Sequence, residues 1–165
     1  MKPYYRVKRL VIDYRAREWC KLPYPNHPFG CPNYGMRDSC PPNAPLIQDY
    51  IDLSQPLWLT VIVFNLAEHI LKMKQGHPSW SDRQAKCVLY WQGSVNKELR
   101  LQSSRFAKAN NLLYTLCPEA MGVQVIKTAQ LIGIPIKPRP TDYVYKIALL
   151  GTNSHYPHQE IMELV

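Results

Sequence analysis

Long hydrophobic runs, closely spaced cysteine pairs and nucleotide-binding loops are all missing from this chain of 165 residues, and each absence removes a class of protein. The longest apolar run, Leu57 to Ala67, is interrupted by Thr60 and Asn65 and falls short of the roughly 20 residues a membrane-spanning helix needs. The opening MKPYYRVKRLVIDY has no apolar segment of the secretory kind, so a soluble, cytoplasmic protein with no membrane partner is expected. No glycine-rich phosphate loop, Ser-His-Asp pattern or paired carboxylates can be read. No two cysteines stand in a Cys-x-x-Cys knuckle, which disfavours a zinc ribbon.

What the chain does have is concentrated between Cys20 and Pro45, CKLPYPNHPFGCPNYGMRDSCPPNAP, which holds three of the five cysteines and seven of the fifteen prolines. This stretch follows neither helical nor strand periodicity, so its apolar residues cannot order it. Thiolate ligation of a metal by Cys20, Cys31 and Cys40 would, because it can contribute about 10 kcal/mol or more of folding free energy. Cys31, Cys40 and the remote Cys117 are each followed by proline, which fixes the backbone beside the thiol and removes one N–H. The same Cys-Pro ending occurs in ferredoxin ligand runs. Gly30, Asn33 and Gly35 bracket Cys31 and allow the turns a wrapping loop requires. Disulfides and free structural thiols are the competing readings of the same cysteines.

The net charge of +8 is patched. Residues 1 to 21 carry seven Lys or Arg against two acids, residues 72 to 108 carry eight against two, and Asp38 to Glu68 holds four acids and no base. Basic patches admit a nucleic-acid partner, with Arg83, Lys86, Lys97, Arg100 and Lys108 as its contacts, while a solvated face is the plainer meaning of any one run.

The length fits one domain, residues 1 to 165, and is enough to bury a core. Tyr4 to Tyr14 alternates at first and reads as a strand leading to Cys20. Residues 57 to 65, LWLTVIVFN, read as a central strand. Residues 66 to 75 turn helical and stop at Gly76. Ser79 or Ser81 can cap a helix running to Trp91, which places Cys87 on a face with Trp80, Gln84, Val88 and Trp91. Cys87 is therefore read as a buried structural thiol, with ligation as its alternative. On another stripe of that helix lie Arg83, Lys86 and Tyr90. A helix from Val95 to Lys108 follows, amphipathic with a cationic back. Leu112 to Leu116 reads as a strand running into Cys117, and Pro118 and Glu119 suit the start of a helix closed by Gly133. At such a junction the helix dipole favours thiolate, which makes Cys117 the fourth candidate ligand. Residues 134 to 138 and 143 to 150 complete a sheet of five segments. His155 and His158 read as part of a solvated tail.

The expected fold is α/β: a mixed sheet with packed helices and a long cysteine- and proline-rich metal-binding loop over residues 20 to 45. The motifs CPNYG, SCPP and CPEAMGVQVIKTAQLIGIPI resemble those of a family of uncharacterised cysteine-rich bacterial and archaeal proteins described as predicted metal-binding and suspected of carrying an iron–sulfur cluster. The resemblance spans most of the chain and carries the family's cysteines onto Cys20, Cys31, Cys40 and Cys117. Longer members have further clustered cysteines before the last helix. Their absence here implies a single centre.

Ligands separated by ten, eight and seventy-six residues suit a 4Fe–4S cluster better than zinc, which stays the alternative cofactor. Three functions follow: a small 4Fe–4S protein acting in redox or sulfur chemistry with a protein partner, a metal-stabilised nucleic-acid-binding protein, and an enzyme whose substrate binds beside the cluster. For the third, His27, Tyr34, Arg37 and Glu119 adjoin the ligands in sequence.

Overall fold

The structure, a computed structural model, describes residues 3–23 and 27–154. Its frame is a four-stranded sheet in the order β1 (Tyr4–Val7), β2 (Leu57–Asn65), β4 (Tyr143–Gly151), β3 (Leu113–Thr115). All three strand pairs are antiparallel, which corrects the mixed sheet expected from sequence. The segment 134–138 joins no strand. After the αL residue Gly133, Ile134 turns into the core and Ile136 N–H donates to the Ile134 carbonyl, so the chain curls instead of extending. The α/β class itself is what the sequence indicates.

Period-two alternation explains the two faces of the sheet. Leu57, Leu59 and Val61 of β2 and Ile147 and Leu149 of β4 point into one core, shared with Val7, Ile47, Ile51, Met121, Val123 and Val125. Those partners come from β1, from the short α1 (Ile47–Tyr50), from a 3-10 turn Pro118–Met121 with Val123 just beyond it, and from α5 (Val125–Gln130). The opposite face of the sheet is covered by α4 (Gln92–Asn110), which packs on β2, β4 and β3. Burial on both faces accounts for the unbroken apolar character of β2.

Aromatic contacts pin α4 at both ends. Trp91, just before it, stacks on Phe64 with centroids 4.8 Å apart, and Phe106 lies 4.3 Å from Tyr4 and 5.2 Å from Trp58. Ser103 and Ala107 on α4 and Thr60 and Ala148 on the sheet are all buried small residues. The helix ends at Asn111, which takes the left-handed conformation at φ 52°.

Two helices differ from expectation. α2 (Leu66–Gly76) forms as read, capped by the Asn65 side chain accepting from Glu68 N–H. The helix expected from Ser81 to Trp91 starts with the capping box of Ser81 and Gln84 but breaks after α3 (Asp82–Ala85), and Val88–Tyr90 forms a separate 3-10 turn. The single apolar stripe through Cys87 is therefore lost, and Val88 is exposed. Likewise the helix expected from Pro118 to Ile132 is cut at Gly122, whose φ of 92° ends the 3-10 turn. Among the described residues no helix is long and apolar enough to cross a membrane. His155 and His158 lie outside the described residues.

At Gly151 the backbone passes so close to α1 that an added Cβ would stand 2.3 Å from Ile51 Cγ2 and 3.1 Å from Leu57 Cδ2. Ile51 is fully buried and has no room to yield. Gly151→Ala is expected to destabilise the fold by about 1–3 kcal/mol through overpacking. Denaturant unfolding checks this, and an unchanged midpoint would show that Ile51 can repack.

Candidate metal centre

Two stretches far apart in sequence are clipped together to form the floor of the site. Asp13 N–H donates to the Gly122 carbonyl at 2.8 Å, Gln124 N–H to the Val11 carbonyl at 2.7 Å, and Val11 N–H to Thr128 Oγ1 at 3.0 Å. Gly122 is required at this crossing, because a Cβ there would lie 2.5 Å from the Tyr14 ring. The clip sets the 3-10 helix Tyr14–Lys21, which carries Cys20 in its last turn, beside the turn that begins at Cys117. Cys20 is thus delivered by a 3-10 helix capped by Asp13, not by the strand expected from Tyr4 to Tyr14, which ends at Val7.

The loop carrying Cys31 and Cys40 is held by its own backbone. Cys31 N–H donates to the Cys20 carbonyl at 2.7 Å, Gly35 N–H to the Pro41 carbonyl at 2.7 Å, and Arg17 reaches the carbonyls of Pro42 and Ala44 at 2.9 Å each. All three Cys-Pro steps open a turn: the Cys31 carbonyl accepts from Tyr34, that of Cys40 from Ala44, and that of Cys117 from Ala120. The cause is local. Proline fixes φ at the second position of the turn and has no N–H to leave unpaired.

The candidate thiols influence one another in pairs: Cys20 feels Cys31 and Cys40, and Cys117 feels Cys40 and Cys20. Burial pushes the Cys20 thiol up, and the nearby Cys31, Cys40 and Glu119 push it further. The Cys117 thiol is raised too, first by the protein atoms crowded around it even though the residue keeps an exposed surface, then by Glu119, Cys40 and Cys20, against the opposing pull of Lys146. The dipole expected to favour thiolate at Cys117 is lacking, because only a four-residue 3-10 turn follows it. Burial also pushes the Glu119 carboxyl up, with Lys146 opposing. Among the described residues, no group of three or more His, Cys, Asp or Glu side chains stands close enough to hold a metal ion. The thiols form a loose neighbourhood, not a closed coordination shell.

Cys20, Cys31 and Cys40 are half-buried and Cys117 is exposed. Cys87, also half-buried, precedes the 3-10 turn Val88–Tyr90 and exerts no pull on the thiols of Cys20 or Cys117. Of the polar residues adjoining the cysteines in sequence, Glu119 acts on both of those thiols. Tyr34 sits under Lys21, whose ammonium is 5.2 Å from its ring, and Arg37 lines a neighbouring cleft. His27 accepts from Gly30 N–H through its carbonyl. Lys146 is a neighbour that sequence reading misses. It stands on β4, far along the chain from every cysteine but Cys117, and only the sheet topology brings it in.

Gly30 takes φ 85°, and a Cβ there would lie 2.4 Å from the Cys20 carbonyl oxygen. Gly35 takes φ 72° but has nothing nearer than 3.9 Å. Gly30→Ala should therefore cost more than the about 1–3 kcal/mol of backbone strain that both substitutions share. Paired unfolding curves for the two variants test this, and equal costs would show that the Cys20–Cys31 backbone contact is not a constraint. No protein-family model, curated protein or solved structure matches this chain.

Proposed function

We propose that this protein is a small cytoplasmic metalloprotein holding a 4Fe–4S cluster on Cys20, Cys31, Cys40 and Cys117, and that it acts in redox or sulfur chemistry with a protein partner. The observation that supports the reading is backbone geometry: the clip between residues 11–13 and 122–124 brings the 3-10 helix carrying Cys20 beside the turn at Cys117, and Cys31 N–H bonds the Cys20 carbonyl at 2.7 Å. The donor set fits the group: it is all sulfur, soft, and three of its members are set on proline-stiffened turns. A cluster so held supplies one-electron transfer or a Lewis-acidic iron. The chain's part is to order the loop around it through the Cys31–Cys20 and Gly35–Pro41 backbone bonds, and to set Lys146 beside Cys117, where a cation offsets the negative charge of thiolates. Zinc on the same thiols is the alternative occupant.

Protein purified without exposure to oxygen should be brown and contain about four irons and four sulfides per chain. Serine at Cys20, Cys31, Cys40 or Cys117 should lose or weaken the cluster, since a hard hydroxyl replaces soft thiolate poorly. Cys87→Ala should keep it. One zinc per chain with no iron would sink the iron–sulfur reading, and loss of the centre in Cys87→Ala with retention in Cys117→Ser would sink the ligand assignment.

A second reading, binding of single-stranded nucleic acid, is favoured by one feature. His77, Trp80 and Tyr90 form a ladder of stacked rings with centroids 4.1 Å and 5.3 Å apart, near the exposed Arg83 and Lys86. Lys97 and Lys108 lie exposed along α4, with the exposed Arg100 beside them at the border of a cleft. Stacking platforms flanked by cations suit bases and phosphates. Fluorescence anisotropy with a labelled oligoribonucleotide should show affinity that falls steeply with salt, by about 0.7 log unit per log unit of salt for each phosphate contacted. Trp80→Ala should weaken binding about tenfold. Absence of binding at low salt would end this reading.

A further inference from the structure

The two neighbours of β4 differ in length. On one side β2 pairs with it from Tyr143 to Leu150, while on the other β3 pairs only with Leu149, Leu150 and Gly151. Among the described residues no strand pairs with this edge from Tyr143 to Ala148. That edge opens on a cleft of about 1180 Å³, which α4 borders through Gln92, Asn96 and Arg100 and whose lining includes Cys117.

The lining has a definite chemistry. Arg37, Arg100, Lys137 and Lys146 face it, against the carboxyls of Asp38 and Glu119 only. Among the described residues none of these four cations makes an ion pair. Unpaired cations on a concave wall raise the local concentration of anions. Trp91, Tyr143 and Tyr145 add aromatic surface beside them, and the bare strand edge adds backbone donors and acceptors. A concave site that combines aromatic surface with a few convergent polar groups is a usual form of small-molecule site.

We propose that this cleft binds a small aromatic anion, a planar ring carrying a phosphate or carboxylate, with the anionic group on Lys146 and Arg100 and the ligand lying beside Cys117. Lys146 is the central residue, because it is half-buried at the open edge and acts on both Cys117 and Glu119. The site needs no metal for its contacts. It adds to the proposed centre a place for a substrate next to one of its thiols.

Calorimetric titration of the full chain at low ionic strength with 1-naphthyl phosphate, 1-naphthoate and neutral 1-naphthol tests the proposal. At least one anion should bind tenfold or more tightly than naphthol, and which one does so decides between phosphate and carboxylate. Lys146→Gln and Arg100→Gln should each weaken the anion three- to tenfold and leave naphthol unchanged, while Lys72→Gln on α2 should change nothing. Equal binding of naphthol and the anions, or indifference to both charge removals, would overturn the proposal. So would binding of an acidic hexapeptide with no binding of either naphthyl anion, which would assign the bare edge to strand addition. The same titration on Cys20→Ser, with metal analysis of the sample, separates the two readings: anion preference kept without metal leaves the cleft standing and the centre in doubt, and metal bound without anion preference does the reverse.

Discussion

The antiparallel pairing of β2 with β4 is the constraint on which the rest of this structure depends. It joins Leu57–Asn65 to Tyr143–Gly151 through eight residue pairs, and Leu59, Leu149 and Leu150 within it are 2 %, 0 % and 0 % exposed. Because both faces of the pair are covered, a register slip by one residue would exchange the side chains packed on α1 and α5 with those packed on α4. The pairing also sets the functional geometry. Where β3 stops short of β2's length, the edge of β4 is left bare, Lys146 is exposed to the cleft, and the chain leaving β3 is aimed at Cys117.

The cysteine loop obeys a different physics. Few of its side chains enter the core: Ala44 and the buried Pro41 do, whereas Phe29 and Met36 stand 95 % and 76 % exposed. Its order comes from turns closed by proline, from backbone bonds between Cys20 and Cys31 and between Gly35 and Pro41, and from Arg17 holding two carbonyls. Such a frame fixes the backbone positions of the loop cysteines without relying on a packed core. The clip between residues 11–13 and 122–124 then couples that frame to the folded sheet, so ligation by Cys117 would tie the stability of loop and core together.

The residues of both faces of β2 were legible in the sequence, because a run rich in β-branched and aromatic residues can be buried only one way in a sheet of this size. So were α2 and most of α4, although α4 begins at Gln92, before the Gly93 break and the Ser94 cap that the sequence suggests, and has no side-chain cap. The turns at Cys31, Cys40 and Cys117 were legible for a local reason, proline following the thiol. What could not be read was long-range. Gly122 looked like a helix residue on an apolar stripe, and only contact with Tyr14, more than one hundred positions earlier, explains why the helix breaks there. The 134–138 segment has strand composition, yet the left-handed Gly133 before it turns the chain away from the sheet. Lys146 carries no signal of its own, since its place beside Cys117 is created by strand order.

The exposure of Cys117 bears on what kind of centre this would be. A metal that only stapled the loop would be served best by thiols sealed from solvent, as structural sites are closed. Cys20, Cys31 and Cys40 are half-buried, but Cys117 opens onto the cleft with Lys146 and Glu119 around it. If the four thiols held a centre, Cys117 at the cleft would give one corner of it a different charge and a different access from the corners at Cys20, Cys31 and Cys40. Reduction potentials respond to solvent exposure and to nearby charge. Under the proposed function, the open edge of β4 beside Cys117 would therefore favour a reactive role for the centre over a purely structural one.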